Sequence, residues 1–108
     1  MSEFKIPNRF KLFGKTIEVH QVKDLSAKYD ITGIGHLKTH KINVQVDCDG
    51  YNIKDDEVAL NFLHEVVHFF MYDLEFKLED GTYCYRHEQF CNLIALCLHQ
   101  FLTTMDYD

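Results

Sequence analysis

The 108-residue sequence has a single proline, no tryptophan, no Cys-x-x-Cys pair and no repeated or low-complexity segment. Basic residues are few: 11 Lys and Arg against 17 Asp and Glu give a net charge of -6. This balance argues against a nucleic-acid partner and against a basic membrane-binding patch. No stretch reaches the roughly 20 apolar residues that span a bilayer, and the first residues lack the apolar run of a signal peptide. We therefore expect one cytoplasmic domain covering residues 1–108.

The four cysteines have a spacing that favours free thiols over disulfides or a thiolate metal site. Cys91 and Cys97 lie in a strongly apolar segment, so we expect them in the core. The other two are Cys48 and Cys84.

Strand patterns occupy the first half of the chain. Residues 10–13 lead through Gly14-Lys15, a turn signal, into an alternating run at 16–20, which predicts a hairpin. Residues 22–29 fit either a short helix or an irregular connection. The runs at 33–37 and 42–46 predict a second antiparallel hairpin. In its second strand we expect Ile42, Val44 and Val46 to face the core, and Asn43 and Gln45 to face solvent.

Helical patterns occupy the second half. Acidic residues at 55 and 56 suit the first turn of a helix that runs to about Asp73. The polar, turn-rich segment 74–86 is a candidate rim of a cleft. A second helix is predicted over 87–104, with a wide apolar stripe. Its members are Phe90, Leu93, Ile94, Cys97, Leu98 and Phe101. Strands followed by helices predict a compact α+β domain, with a small antiparallel or mixed sheet packed on these helices.

The first of these helices contains the sequence His64-Glu65-Val66-Val67-His68. Residues four apart share one helix face, so both imidazoles can reach one tetrahedral metal ion. Glu65 then lies beside the open coordination position, where a carboxylate can act as general base. The composition of the chain predicts only about 0.03 chance matches to this pattern.

The surroundings of the two histidines favour a metal site over incidental surface histidines. At 100° per residue, one arc of the helix is polar and the other is apolar. The polar arc holds Glu57, Asn61, His64, Glu65, His68 and Tyr72, and the apolar arc holds Ala59, Phe62, Leu63, Val66, Phe69 and Phe70.

A third protein ligand is expected, because catalytic zinc sites usually have three. The metzincin pattern is excluded, since Met71 and Leu74 stand where it needs glycine and histidine. Glu88, in the first turn of the second helix, is the better candidate, and Asn92 one turn later could orient a ligand. The alternative for Glu88 is an ordinary first-turn acid stabilised by the helix dipole. Rival ligands are Asp73, Glu79, Cys84 and His87.

The two helices together resemble the gluzincin arrangement. The segment Glu88-Gln89-Phe90-Cys91-Asn92-Leu93-Ile94-Ala95 is similar to the third-ligand segment of ImmA/IrrE-like zincin domains, with Cys91 where alanine is usual. The opening from Ile6-Pro7 to Thr16-Ile17 is similar to small zincin-like proteins of phages and prophages. The resemblance implies one Zn²⁺ per chain bound by His64, His68 and Glu88, with Glu65 as the catalytic acid/base.

We therefore expect a zinc-dependent peptidase acting on a peptide or protein, for example a repressor, in the cytoplasm of a host if the protein is phage-encoded. Oxyanion donors could come from Tyr83, Tyr85 or His87, of which we assign Tyr85. An exposed edge of the second hairpin could bind an extended substrate. Two alternatives stay open: a metal-binding regulatory protein of the same shape without turnover, and an acidic interaction domain without metal.

Overall fold

The computed structural model describes residues 4–23, 33–48 and 50–106. The elements of these residues are β1 (Arg9–Leu12), β2 (Lys15–Lys23), β3 (Gly33–His36), β4 (Lys41–Cys48), β5 (Tyr51–Asn52), α1 (Asp55–Leu74), a 3₁₀ turn (Cys84–Arg86) and α2 (Glu88–Thr104). Of the segment 22–29, which fits a helix or a connection, Val22 and Lys23 end β2 and the rest lies outside the described residues. The order of strands before helices is as predicted, and the domain is α+β.

Both predicted hairpins are present. β1 pairs antiparallel with β2 through a turn at Phe13 and Gly14, which have φ angles of 52° and 79°. Positive φ at both central residues matches the right-handed twist of the strands. β3 pairs antiparallel with β4, with Gly35 opposite Ile42.

The two hairpins join through a parallel pairing of β2 with β4, in which Val19 lies opposite Ile42. The strand order is β1-β2-β4-β3, with β5 added to β4, so the sheet is mixed. β4 is central and β3 ends this path. The edge strand β3 also packs against α1.

One apolar cluster joins the sheet to the helices. Helix α1 contacts β3 and β4, and it also packs against α2 and the 3₁₀ turn. The cluster includes Ile17 and Val19 of β2, Ile42 and Val44 of β4, and Val58, Phe62, Leu63, Val67, Phe69 and Met71 of α1. Helix α1 contacts both the sheet and α2. Its orientation therefore determines which side chains of the sheet and of α2 can come together.

Several predicted environments are wrong. Gln45, expected to face solvent, is only 2% exposed. It lies on the central strand β4, and alternation along a strand distinguishes the two faces without telling whether both are covered. Phe70, expected on the buried arc, is 40% exposed and packs its ring against Phe13 with centroids 5.8 Å apart.

The expected apolar stripe of α2 is largely on the surface. Leu93 is 60% exposed, and Leu98, Phe101 and Cys97 are also exposed. The reason is that α1 is the main partner of α2, so only a narrow strip is covered. The fully buried residues of that strip are Cys91 and Ala95, which lie four apart. The cysteine prediction is therefore correct for Cys91 and wrong for Cys97, while all four thiols are free as expected.

Candidate metal centre

Two imidazoles converge on the side of α1 that faces the start of α2. His64 and His68 lie one turn apart, and their Nε2 atoms are 3.0 Å from each other. The rings are nearly perpendicular, with centroids 4.8 Å apart. Both side chains are mostly buried, with 16% of His64 and 14% of His68 exposed.

Glu88, the first residue of α2, completes the group. Its Oε2 atom lies 2.8 Å from Nε2 of His64, and its Oε1 atom lies 3.1 Å from Nε2 of His68. The carboxylate is 71% exposed, so the group is open to solvent on one side. Among the described residues this is the one set of three or more His, Cys, Asp or Glu side chains whose ligand atoms, all within 4.8 Å, could hold a metal ion.

The start of α2 places Glu88 at this point. The residue before it, His87, has extended backbone angles and accepts a hydrogen bond from the Phe90 amide through Nδ1, at 3.0 Å. The His87 side chain therefore acts as the N-cap of α2 and pairs with the Phe90 amide, which has no partner within the helix. The 3₁₀ turn at Cys84–Arg86 leads the chain into that cap.

The tautomer of His68 follows from its second ring nitrogen. Nδ1 lies 2.5 Å from the main-chain carbonyl oxygen of Tyr85. A carbonyl oxygen only accepts, so Nδ1 carries the hydrogen and Nε2 of the neutral ring keeps its lone pair. That lone pair is directed toward His64 and Glu88, which is the state that a metal ligand requires.

Glu65 lies on the sheet side of the same helix turn. Its carboxylate accepts a hydrogen bond from the main-chain N–H of Gly35 in β3. Burial raises its pKa to about 7; the Glu88 charge adds to the increase, whereas His68 and the Gly35 hydrogen bond oppose it. Desolvation thus outweighs the groups that favour the ionised form. Glu65 is held between the edge strand and the group formed by His64, His68 and Glu88.

Cys91 packs beside His68, behind the candidate metal-binding group. Its Sγ atom is 3.7 Å from Nδ1 of His68, and its thiol donates to the Cys84 carbonyl at 3.6 Å. Burial raises the pKa of Cys91 to about 11, with smaller contributions from the charges of Glu88, Glu65 and Cys84. The residue where the resembled family usually has alanine therefore fills space as a neutral thiol beside His68.

Tyr85 contributes its carbonyl to this arrangement, while its hydroxyl accepts from Nε of Arg86 at 3.1 Å. Its ring packs edge-on against Tyr72, with centroids 5.0 Å apart. The catalytic role expected of the Tyr85 hydroxyl stays a prediction. The structure does not bring Asn92 into the group: its side chain is exposed and has no hydrogen bond within residues 4–23, 33–48 and 50–106. Orientation of a ligand comes from the Tyr85 carbonyl.

The rival ligands lie in other environments. Asp73 forms an ion pair with Lys15 at 2.9 Å, and His87 caps α2. Cys84 is buried, and Glu79 is exposed. A separate groove at the amino-terminal end of α1 contains none of the metal-binding side chains. It is lined by Phe4, Lys5, Ile6, Gln21, Val46, Asn52, Ile53, Asp55, Asp56 and Val58.

Sequence reasoning missed two main-chain contributors, the Tyr85 carbonyl and the Gly35 amide. Nothing in the residue type at position 85 signals the first. The second had a signal, because an alternating Gly-x-Gly in a strand marks a close approach to the backbone.

Neither described helix is long and apolar enough to cross a membrane. Comparison of the chain with models of protein families, with curated proteins and with solved structures finds no match.

Proposed function

We propose that the protein is a zinc-dependent peptidase. The observation that carries this proposal is the convergence of His64, His68 and Glu88 from two helices, with Glu65 fixed beside them. Two imidazole nitrogens and one carboxylate form the ligand set of catalytic zinc sites in gluzincins, which leave a fourth position for water.

The geometry of the three side chains fits zinc. Bonds of 2.0–2.1 Å in a tetrahedron place ligand atoms about 3.3 Å apart. The two Nε2 atoms are 3.0 Å apart, close to this value. Each of them contacts a different oxygen of Glu88, at 2.8 Å for Oε2 and 3.1 Å for Oε1, so one carboxylate reaches both imidazoles. The open side at Glu88 gives a substrate access, and the neutral tautomer of His68 is the ligating one.

Bound zinc would supply Lewis acidity, which polarises a scissile carbonyl and makes a water more acidic. Glu65 accepts a proton from the attacking water and later donates it to the leaving amine. His64, His68 and Glu88 would hold the metal, and the Tyr85 carbonyl keeps the His68 ring in place. We retain the Tyr85 hydroxyl as the proposed oxyanion donor.

Metal content and hydrolysis together test the proposal. Elemental analysis of protein purified without added metal or a histidine tag should give one zinc per chain, lost in His64→Ala. The wild type should cleave members of a quenched-fluorescence decapeptide mixture. Glu65→Gln should keep its zinc and lose at least 100-fold in kcat, since general base catalysis contributes about 10²–10⁴-fold.

Three results would count against the proposed peptidase. Hydrolysis by Glu65→Gln at the wild-type rate would exclude the proposed role of Glu65. Stoichiometric zinc without cleavage of any peptide would favour the metal-binding regulatory protein instead. The absence of zinc, even after titration, would favour an interaction domain without metal.

A further inference from the structure

The edge strand β3 presents two glycines to α1. Gly33 and Gly35 are two residues apart, so they lie on the same face of the strand. Glycine weakens a strand and is expected where another group approaches the backbone closely. In β3 the approaching groups are Glu65 and Phe69, which lie one turn apart on α1.

The two glycines differ in how much room they have. A Cβ atom at position 35 would lie 2.9 Å from Cε2 of Phe69 and 3.3 Å from Oε1 of Glu65. A Cβ atom at position 33 would lie no closer than 3.5 Å to any neighbour, which is ordinary van der Waals contact. Phe69 is buried in the core, so its ring has little freedom to move away.

We propose that Gly35 is a positioning residue for Glu65. Its N–H donates to the Glu65 carboxylate, and its lack of a side chain lets Phe69 and Glu65 lie directly against the strand. A side chain at position 35 moves β3 away from α1 and removes the hydrogen bond. Glu65 then loses the fixed direction that efficient proton transfer requires. The catalytic consequence rests on the proposed function, whereas the structural contact does not.

The matched pair Gly35→Ala and Gly33→Ala tests this role. Both variants should bind one zinc per chain, because the ligands His64, His68 and Glu88 are unchanged. On a decapeptide cleaved by the wild type, Gly35→Ala should lose at least 10-fold in kcat with KM changed less than 2-fold. Gly33→Ala should stay within 2-fold in both constants. Equal kcat for the two variants, or loss of zinc in Gly35→Ala, would overturn the proposal.

A second substitution separates the contact from a general weakening of β3. Phe69→Leu in the Gly35→Ala background removes the aromatic carbon that the new methyl group meets. The double variant should regain at least 3-fold of the lost kcat, although the core is less well filled. No recovery would contradict the proposed contact.

Amide hydrogen exchange, followed by NMR on the zinc-loaded protein, tests the hydrogen bond without any activity. The Gly35 amide should be protected in the wild type. It should exchange at least 10-fold faster in Glu65→Ala, and slowly in Glu65→Gln, which keeps an acceptor oxygen. If no peptide is cleaved but this exchange pattern is observed, the proposed peptidase activity is rejected and the Gly35–Glu65 hydrogen bond is supported. Equal exchange in all three proteins would overturn the contact even if hydrolysis is found.

Discussion

The Nδ1 atom of His68 donates to the carbonyl oxygen of Tyr85, 2.5 Å away, and so the ring presents its lone pair at Nε2. The turn at Cys84–Arg86 thereby orients a candidate ligand on a different element, α1. A ligand already held in its binding tautomer and orientation binds a metal ion more tightly, because less order has to be gained on binding.

The first prediction separates the hydroxyl of Tyr85 from its carbonyl. Tyr85→Phe removes the group that pairs with Arg86 and leaves the main chain unchanged. We expect zinc affinity, measured by competition with a chelating dye, to stay within about two-fold, since losing an orienting contact costs 10–100-fold. A decrease of ten-fold or more in zinc affinity would show that the Tyr85 side chain, and not only its carbonyl, orients His68. If the hydroxyl is the oxyanion donor, kcat should fall at unchanged zinc content.

The second prediction concerns the link between metal and stability. Glu88 begins α2, whereas His64 and His68 are on α1, so a bound ion joins the two helices. At 100 times its Kd, the metal adds about 2.7 kcal/mol to the free energy of unfolding. Chelation should therefore lower Tm by roughly 10–20 °C. Glu88→Gln should weaken zinc binding and reduce this change.

Glu79→Gln is the matched control for that substitution, because it neutralises an exposed carboxylate outside the group. It should show the wild-type dependence of Tm on zinc, followed by calorimetry. An identical dependence in Glu88→Gln would remove Glu88 from the ligand set.

The third prediction is the order in which cysteines react. Cys97 is exposed on α2, whereas Cys84 and Cys91 are buried. In the native protein at neutral pH, iodoacetamide should modify Cys97 at least ten-fold faster than Cys91, because a buried thiol is reached only through opening of the structure. Peptide mapping by mass spectrometry gives the order. Equal rates would show that α2 separates readily from α1.

The fourth prediction compares neighbouring positions of α2. Ala95 is fully buried, and Leu96 is 47% exposed. Ala95→Leu should lower the free energy of unfolding by about 1–3 kcal/mol, because the larger side chain forces α1 and α2 apart. Leu96→Ala should change it by less than about 1 kcal/mol. Urea denaturation measures both, and a larger effect at position 96 would contradict the observed face of α2.

The sequence was sufficient for the two hairpins, for both helices and for the candidate ligands, but not for β5 or the 3₁₀ turn. Period-two alternation and the Gly14 turn predicted the hairpins, because strand faces and turn angles are local properties. The four-residue spacing of His64 and His68 predicted their common face, and the first turn of the next helix predicted Glu88. Each of these inferences depends on residues close together in the chain or on a rigid helix.

The unpredicted features depend on tertiary neighbours. Gln45 is buried on the central strand β4, and Cys97 is exposed because, among the described residues, α2 packs mainly against α1. Local periodicity predicts neither fact, because it identifies the faces of an element but not which of them are covered by other elements. The sequence also could not tell that Asn92 would be exposed and outside the group of candidate ligands.

Two of the contacts that orient the site come from peptide groups, the Gly35 N–H and the Tyr85 carbonyl. A peptide group is retained in almost every side-chain replacement. The residues allowed at these positions are therefore limited by backbone conformation and available space more than by side-chain chemistry. For the orientation of His68, position 85 should therefore accept varied residues while the turn keeps its shape, whereas for the orientation of Glu65 position 35 should accept essentially one. In a saturation library, zinc binding with varied residues at 85, beside slow exchange of the amide at 35 only when that residue is glycine, would be the signature of a site oriented by its main chain.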